Sequence, residues 1–472
     1  MTFEPRRCSS LRPTRTALLP LLLVAASGCE DYPLSGAEDA GPDASAVDGR
    51  DPFPPEAAST DGGLDGSVVD SSAGDGAGAD LASGDAADAG DVSGGPAPIG
   101  MAVLSSDYQS TVLSLLTLGP TPTLRDRCLD SGSVSPQLSA ALSGDVVLPS
   151  SPQLGNPVTL IDRKNSTLTW VNPATCDVLR QMNVGPGFAS NPYDVAQAAP
   201  DKAYVARYDS HPSDPAQGND LLIIDPRLAT VTGRVDLRAH SDQVVPPAKA
   251  LLPRPAAVLA LAGKVYVLLG HQSDDFMVSG PGRVLVIDPS SNTVAHTINL
   301  PTLKNCARLQ ALFDGAGAPV LVVGCSGPFT DGAAQVNSSG FAWINLAGTP
   351  LLTQVVAGPA FGRPVGGSSV SVFDANRAFT VVPGDFMGPA KDAVHGFGFV
   401  TGASPAKILE GEGAFILSLG LDRQRGLLYL ANASAAQPRI QIYTVAAGAV
   451  TPTAMVVPNP STGLPPRQIA AY

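Results

Sequence analysis

Two stretches of this chain are near copies of each other: DLLIIDPRLATVTGRVDL (220–237) and GRVLVIDPSSNTVAHTINL (282–300). Each is an apolar run that ends in Ile-Asp-Pro, followed by a short turn and a second, alternating run. These are the features of two β-strands joined by a turn. A weaker form of the pattern occurs seven times between residue 99 and the C-terminus. A repeat of about 55 residues built from short strands predicts an all-β fold, a seven-bladed β-propeller.

The repeat unit is predicted to contain four strands: an innermost strand such as PYDVAQAA (192–199), a second strand such as KAYVARY (202–208), the Ile-Asp-Pro strand and an outer strand. The Asp residues of these motifs are expected to form turns by accepting local backbone hydrogen bonds. The second strand follows the innermost strand after a tight turn, and seven copies of it can be traced. They begin near Gly100, Gly144, Lys202, Lys264, Ala318, Arg377 and Gly426.

The second strands KAYVARY (202–208), KVYVLLG (264–270) and GLLYLANA (426–433) resemble those of YVTN-type β-propeller repeats. The resemblance covers 99–472 and is strongest in the repeats centred on Asp225 and Asp288, although the literal Tyr-Val-Thr-Asn is absent. It implies the same propeller architecture.

The two ends of the repeat region predict how the ring closes. The first repeat begins at its second strand, and the final residues PPRQIAAY (465–472) match the innermost strand NPYDVAQA (191–198) of another repeat. We therefore predict that residues 466–472 supply the missing strand of the first blade, which removes a free sheet edge.

The N-terminus has the pattern of a bacterial lipoprotein signal peptide over residues 1–28. A basic segment precedes the apolar residues 17–26, and Ala26-Ser27-Gly28-Cys29 resembles the lipobox, with Ala26 where Leu is usual. The resemblance implies that Cys29 becomes the acylated mature N-terminus, carrying fatty acids such as palmitate. The protein would then lie in the cell envelope, outside the cytoplasm, and the sequence leaves inner and outer membrane as alternatives.

Residues 30–98 hold almost all of the net charge. This segment carries a charge of −15, whereas residues 99–472 carry only −1. Its Asp, Ala, Gly and Ser composition cannot bury enough apolar surface to fold, so residues 29–98 are predicted to be a lipidated Cys followed by a disordered tether. A calcium-binding repeat would need a regular nonapeptide spacing, which the segment lacks.

Four cysteines remain for disulfides in an exported protein. Cys306 and Cys325 flank the turn DGAG (314–317) at positions that lie directly opposite in a hairpin, so we expect a bridge between them. Cys128 and Cys176 belong to the outer strands of two successive blades and could lie near opposite faces. Their pairing stays open.

Aligning the innermost strands predicts a ring of side chains at the channel mouth. The ring consists of Asp194, Ala257, Arg308 and Gln468, with Gln137, Ser369 and Ala414 added by weaker alignment. Four arginines also lie near the starts of these strands: Arg254, Arg308, Arg363 and Arg467. Arginines that converge could hold a carboxylate or phosphate by bidentate hydrogen bonds. A scatter of surface arginines is the competing interpretation.

The sequence favours a binding or scaffold module for an envelope protein or anionic small ligand over an enzyme. The alternative is a hydrolase of the lactonase type at the channel mouth, a class that holds a divalent cation with carboxylates and amides. No metal site, cofactor motif or nucleophile motif is predicted, and the neutral repeat region lacks the basic patches that nucleic-acid binding needs. Apart from its membrane anchor, the protein is expected to be a monomer.

Overall fold

The computed structural model describes residues 98–472, except 120, 245–248, 329–331, 367–368, 386–387, 401–403, 414–416, 435 and 447–448. Within this part, seven four-stranded antiparallel sheets form a β-propeller, as the repeats predict. The predicted signal peptide, Cys29 and most of the tether lie outside the described residues. No helix of the described residues is long and apolar enough to span a membrane.

In blades 2 to 7 the strands follow the chain order inner, second, third, outer. Blade 1 begins with its second strand and takes its inner strand from the C-terminal end of the chain. Blades 1 to 3 contain β1 (Gly100–Ser106), β2 (Thr111–Thr117) and β3 (Leu124–Asp130); β4 (Val146–Val147), β5 (Val158–Asp162), β6 (Thr167–Val171) and β7 (Val178–Asn183); and β8 (Pro192–Ala199), β9 (Lys202–Ser210), β10 (Gly218–Asp225) and β11 (Thr230–Asp236). A separate hairpin of β12 (Asp242–Val244) and β13 (Lys249–Leu251) follows blade 3.

Blades 4 to 7 continue the same order. They contain β14 (Pro255–Leu261), β15 (Lys264–Leu269), β16 (Pro281–Asp288) and β17 (Thr293–Lys304); β18 (Cys306–Phe313), β19 (Pro319–Ser326), β20 (Ser339–Asn345) and β21 (Leu351–Ala357); β22 (Val370–Asp374), β23 (Arg377–Val382), β24 (Ala393–Phe397) and β25 (Ala406–Glu410); and β26 (Leu417–Asp422), β27 (Leu427–Asn432), β28 (Arg439–Ala446) and β29 (Ala449–Val456). The chain ends in β30 (Pro466–Ala471). A seven-residue helix, α1 (Gly332–Ser338), connects β19 to β20, and short 3-10 turns lie at Arg238–His240 and Gly358–Phe361.

The hydrophobic core lies between the blades. Each of seven buried clusters joins one blade to the next around the ring. Met101 and Val103 pack toward blade 7, whereas Ala102 and Leu104, which point to the other face of the same strand, pack toward blade 2. Because both faces of the inner and central strands are covered, these strands are apolar without alternation.

The C-terminal strand closes the ring as predicted. β30 is the inner strand of blade 1 and pairs antiparallel with β1, with Val103 opposite Ile469 and Met101 opposite Ala471. The last residue extends the pairing, because Tyr472 N donates to the Gly100 carbonyl oxygen over 3.0 Å. Gly100 leaves room for the Tyr472 ring, since a Cβ here would lie 2.3 Å from it and the ring would have to move.

The Ile-Asp-Pro motifs form turns at the ends of third strands. Asp225 accepts the Arg227 backbone N–H over 2.8 Å, and Asp288 accepts that of Ser290 over 2.9 Å. These aspartates therefore hold the β10–β11 and β16–β17 turns, as expected for residues of this type.

Blade 2 corrects the predicted strand order. The segment near Gly144, expected to start a second strand, leads into the inner strand β4 instead. The second strand β5 begins only at Val158, after an insertion that includes Gln153, whose amide donates to the Val195 carbonyl oxygen of blade 3. The insertion hid the pattern because it separates β4 from β5 by ten residues that carry no strand alternation.

The bridge between Cys306 and Cys325 is confirmed. The two residues are paired across β18 and β19, with Cα atoms 3.8 Å apart. The rest of the hairpin has a register one residue away from the one predicted, pairing Leu309 with Val323. A β-bulge after Cys306 restores the opposition of the two cysteines.

Cys128 and Cys176 also form a disulfide, with Cα atoms 5.1 Å apart. Cys176 does not start an outer strand. It lies with φ +68° in the turn before β7, and this turn reaches blade 1. Arg125 on β3 holds the turn from the other side by donating to the Pro173 carbonyl oxygen over 3.2 Å. The pairing that the sequence left open is therefore present, because this turn crosses the gap between the two blades.

Replacing this disulfide is expected to lower the free energy of unfolding by about 4 kcal/mol, since it closes a loop of 48 residues in the unfolded chain. Both cysteines are only half-buried, so alanine should leave a small cavity penalty. Chemical unfolding of Cys176→Ala and of Cys128→Ala/Cys176→Ala should give the same loss. Stability equal to that of the unmodified chain would show that the bridge is dispensable.

Candidate functional site

A cavity of about 250 Å³ lies at the mouth of the central channel, and every one of the seven blades lines it. It is walled by the starts of the inner strands and the ends of the second strands. Its charged residues are Asp145, Arg163, Arg308, Asp392 and Arg467. These three cations and two anions give the lining a net positive charge.

Arg308 is one of the predicted ring residues that the structure places in this cavity, and it is the one that carries a charge. It lies near the start of β18, and its Nε is buried without a hydrogen-bond partner. Its guanidinium forms no hydrogen bond or ion pair with the described residues. Burial lowers the pKa of Arg308, while the charge of Asp194 opposes that shift. An arginine stays protonated in either case, so the channel contains a half-buried positive charge.

Arg467 provides a second guanidinium at the mouth. Its Nε donates to the Ser106 carbonyl oxygen over 3.3 Å, and its guanidinium carbon lies 5.2 Å from the Tyr108 ring centroid. It forms no ion pair with a carboxylate in the described part of the chain. The tyrosine and the carbonyl thus fix the direction of the side chain and leave its charge uncompensated.

The other charged side chains of the cavity are engaged. Arg163 forms an ion pair with Asp145, with 2.9 Å between Nε and the carboxylate, and lies 5.3 Å from the Tyr193 ring centroid. Asp392 accepts the backbone N–H groups of Gly384 over 2.8 Å and Leu417 over 3.2 Å. The aspartates are therefore held by the protein itself.

Asp194 was predicted as a ligand group, but in the structure its carboxylate forms hydrogen bonds that connect neighbouring blades. Its carboxylate is buried and accepts the backbone N–H groups of Ser150 in blade 2, of Val195, and of Val258 in blade 4, each over 2.9 Å. Burial raises the pKa of this carboxyl, and the three N–H donors oppose the shift. With its oxygens so occupied, Asp194 does not line the cavity.

Gln468 lines the cavity but also bridges two blades. Its Oε1 accepts the Leu148 backbone N–H over 2.9 Å, which joins blade 1 to blade 2. Gln310 makes the same kind of bridge from blade 5 to Val372 in blade 6, again over 2.9 Å. Amide side chains of inner strands thus tie neighbouring blades together.

Two of the four predicted arginines point elsewhere. Arg254 is buried beneath the loops of blades 3 and 4, where it pairs with Asp209 and lies 4.4 Å from the Phe276 ring centroid. Arg363 forms an ion pair with Asp385 and lines a different cavity. Only Arg308 and Arg467 converge on the channel mouth.

The three ring positions that were assigned by weaker alignment have different outcomes. Ser369 lines the cavity, but Gln137 lies on an exposed loop before β4 and pairs locally with Ser135. Ala414 lies outside the described residues. Among the described residues, no group of three or more His, Cys, Asp or Glu side chains has the arrangement of a metal site.

Sequence reasoning missed the tyrosines of the mouth. Tyr108 and Tyr193 line the cavity and each has an arginine against its ring. Tyr108 has φ +67° in the turn after β1, and Tyr193 stacks on Tyr208 with ring centroids 4.1 Å apart. The aromatic residue beside the ring position in NPYDV (191–195) was the available signal for Tyr193.

Comparison with known proteins places the fold and no more. No family model and no curated protein match the chain. Among solved structures, a Bacteroides fragilis protein proposed to be a 6-phosphogluconolactonase has a TM-score of 0.53 at 11% identity, with 80% of this chain and 98% of that chain covered. A protein from Lactobacillus plantarum has a TM-score of 0.52 at 13% identity, covering 79% and 99%. These similarities are to the propeller fold.

Proposed function

We propose that this propeller binds a small anionic ligand, a carboxylate or a phosphate, at the channel mouth. The observation that carries the proposal is Arg308, whose guanidinium lies in the cavity without a hydrogen bond or ion pair from the described residues. A half-buried cation without a partner favours the binding of an anion beside it. Arg467 adds a second uncompensated cation, and two guanidinium groups suit the planar oxygens of an anion.

The place of this binding module is also part of the proposal. We propose that the propeller is a YVTN-type repeat protein, exported and held at the cell envelope by a lipid on Cys29 and the acidic tether of residues 30–98. The sequence pattern of residues 1–29 supports the anchor. Two or more acyl chains would hold such a protein at a bilayer essentially permanently, at about 0.8 kcal/mol for each buried methylene.

Replacing Arg308 by Gln should weaken binding of citrate or inorganic phosphate about tenfold or more. The loss follows from removing a hydrogen bond to a charged group, which contributes about 1.5–3 kcal/mol. Titration calorimetry of the purified chain gives the dissociation constants. The matched control is Arg227→Gln, which removes the same charge from the β10–β11 turn, away from the cavity.

The same titrations, together with an assay for hydrolysis of 6-phosphogluconolactone, decide between a binding module and a hydrolase. Saturable binding that depends on Arg308 and not on Arg227, without turnover of 6-phosphogluconolactone, supports the proposal. Turnover of that lactone, lost in Arg308→Gln, would assign the mouth to an enzyme instead. Equal affinity of both variants and the unmodified chain would mean that Arg308 holds no ligand.

A further inference from the structure

A second cavity, of about 270 Å³, lies at blade 6. We call it the blade 6 pocket and define it by the residues that the argument uses: Phe361, Arg363, Lys391, His395, Lys407 and Glu410. His395 lies on β24, and Lys407 is its cross-strand neighbour on β25. Phe361 comes from the connection between blades 5 and 6.

The residues that line the blade 6 pocket carry more positive than negative charges. Lys407 pairs with Glu410 over 2.5 Å, and Arg363 pairs with Asp385 beside the pocket. Lys391 is exposed and makes no hydrogen bond or ion pair with the described residues. One ammonium is therefore available to an incoming anion at the rim.

His395 gives the pocket an unused polar atom. Its Nδ1 is buried and has no hydrogen-bond partner among the described residues. Burial, and then the charge of Lys407, lower the pKa of His395, so its ring is neutral at pH 7. A buried polar atom without a partner costs free energy, which a ligand atom at this position would recover.

The floor of the blade 6 pocket is apolar. Phe361 and Val382 are 8% and 3% exposed, and Pro383 and Pro389 complete the surface. The Phe361 ring centroid lies 6.1 Å from that of His395, and both residues line the pocket. Such a surface favours a ligand with an apolar body over a bare inorganic ion.

We infer that the blade 6 pocket binds a small organic anion with an aromatic or short aliphatic body. The anionic group would pair with Lys391, the body would pack on Phe361, and a polar atom would meet His395 Nδ1. This site is separate from the channel mouth. Pro383 lines both cavities, but their cationic residues are different.

Benzoate is the probe for this pocket, with acetate and inorganic phosphate as comparisons. We expect benzoate to shift the His395 ring resonance in a saturable way, at lower concentration than either comparison ion. The resonance is assigned with His395→Gln. Lys391→Gln should weaken benzoate binding about twofold to fivefold, the expected effect of losing an ion pair at a solvent-exposed lysine. Lys164→Gln, an exposed lysine of blade 2 that lines neither cavity, should leave it unchanged.

Two further results separate this site from the channel mouth. Arg308→Gln should keep the His395 shift intact, even if the mouth binds no anion at all. The inference is overturned if benzoate causes no saturable shift, if the shift disappears with Arg308→Gln, or if phosphate binds as well as benzoate. Circular dichroism melting of Lys391→Gln, and of Lys407→Gln as a second variant, shows that each is folded before it is titrated.

Discussion

Deletion of residues 466–472 is expected to lower the free energy of unfolding by roughly 5–10 kcal/mol. This loss is comparable with the whole stability of a typical domain. The deletion removes β30, whose Ile469 is 2% exposed in the core between blades 7 and 1. It also exposes the backbone of β1 as a free sheet edge. Most of the truncated protein should therefore be unfolded or aggregated. Circular dichroism melting and size-exclusion chromatography measure both effects.

Two variants grade the effect of the deletion. Ile469→Ala keeps the strand and should cost about 2–5 kcal/mol, as expected for a buried side chain cut to a methyl group. A synthetic peptide of residues 464–472, added in trans, should restore part of the melting temperature of the truncated chain. An unchanged melting temperature after deletion would contradict closure by β30.

The periodic features of this fold could be predicted from the sequence because they repeat. Apolar runs with covered faces, turn-forming aspartates such as Asp225, and the match between residues 465–472 and another inner strand all follow from local chemistry. The disulfide of Cys306 and Cys325 was also within reach, although a β-bulge corrects the register that predicted it.

Insertions and turns that cross between blades could not be predicted. The inner strand β4 is only two residues long, so blade 2 gave no alternation to align, and Gln137 was placed in the ring by mistake. The contact between Cys128 and Cys176 depends on a turn with positive φ at Cys176 that reaches the neighbouring blade. The distance between two blades cannot be derived from the sequence pattern within either repeat.

The direction of a polar side chain at a ring position could not be predicted either. Alignment brought Asp194, Arg308 and Gln468 to equivalent positions, but their surroundings differ. The side-chain oxygens of Asp194 and Gln468 accept backbone N–H groups of neighbouring blades, so these two residues act as braces, which connect blades and are not free to bind a ligand. Arg308 is a donor only and cannot serve these N–H groups, so its charge is left to the channel. Residue type, more than ring position, thus separates a brace from a ligand group.

Replacing Asp194 by Ala is expected to cost about 3–9 kcal/mol of unfolding free energy, because it removes the acceptor of three backbone N–H groups at about 1–3 kcal/mol each. Two of these groups, from Ser150 and Val258, belong to blades on either side, so the loss loosens three blades together. Chemical unfolding measures it. Asp194→Asn keeps one acceptor oxygen and places an amide N–H against a backbone donor, so its loss should be smaller but clear.

The effect on ligand binding distinguishes a brace from a ligand group. Asp194 is the negative charge that acts on Arg308, so removing it makes the channel mouth more positive. Titrations of Asp194→Ala at a temperature where it is folded should therefore show citrate affinity equal to or higher than that of the unmodified chain. Reduced citrate affinity with unchanged stability would reverse the assignment and return Asp194 to the binding site. The opposite signs expected for stability and affinity make Asp194 and Arg308 an informative pair, since one holds the ring together and the other is left to bind within it.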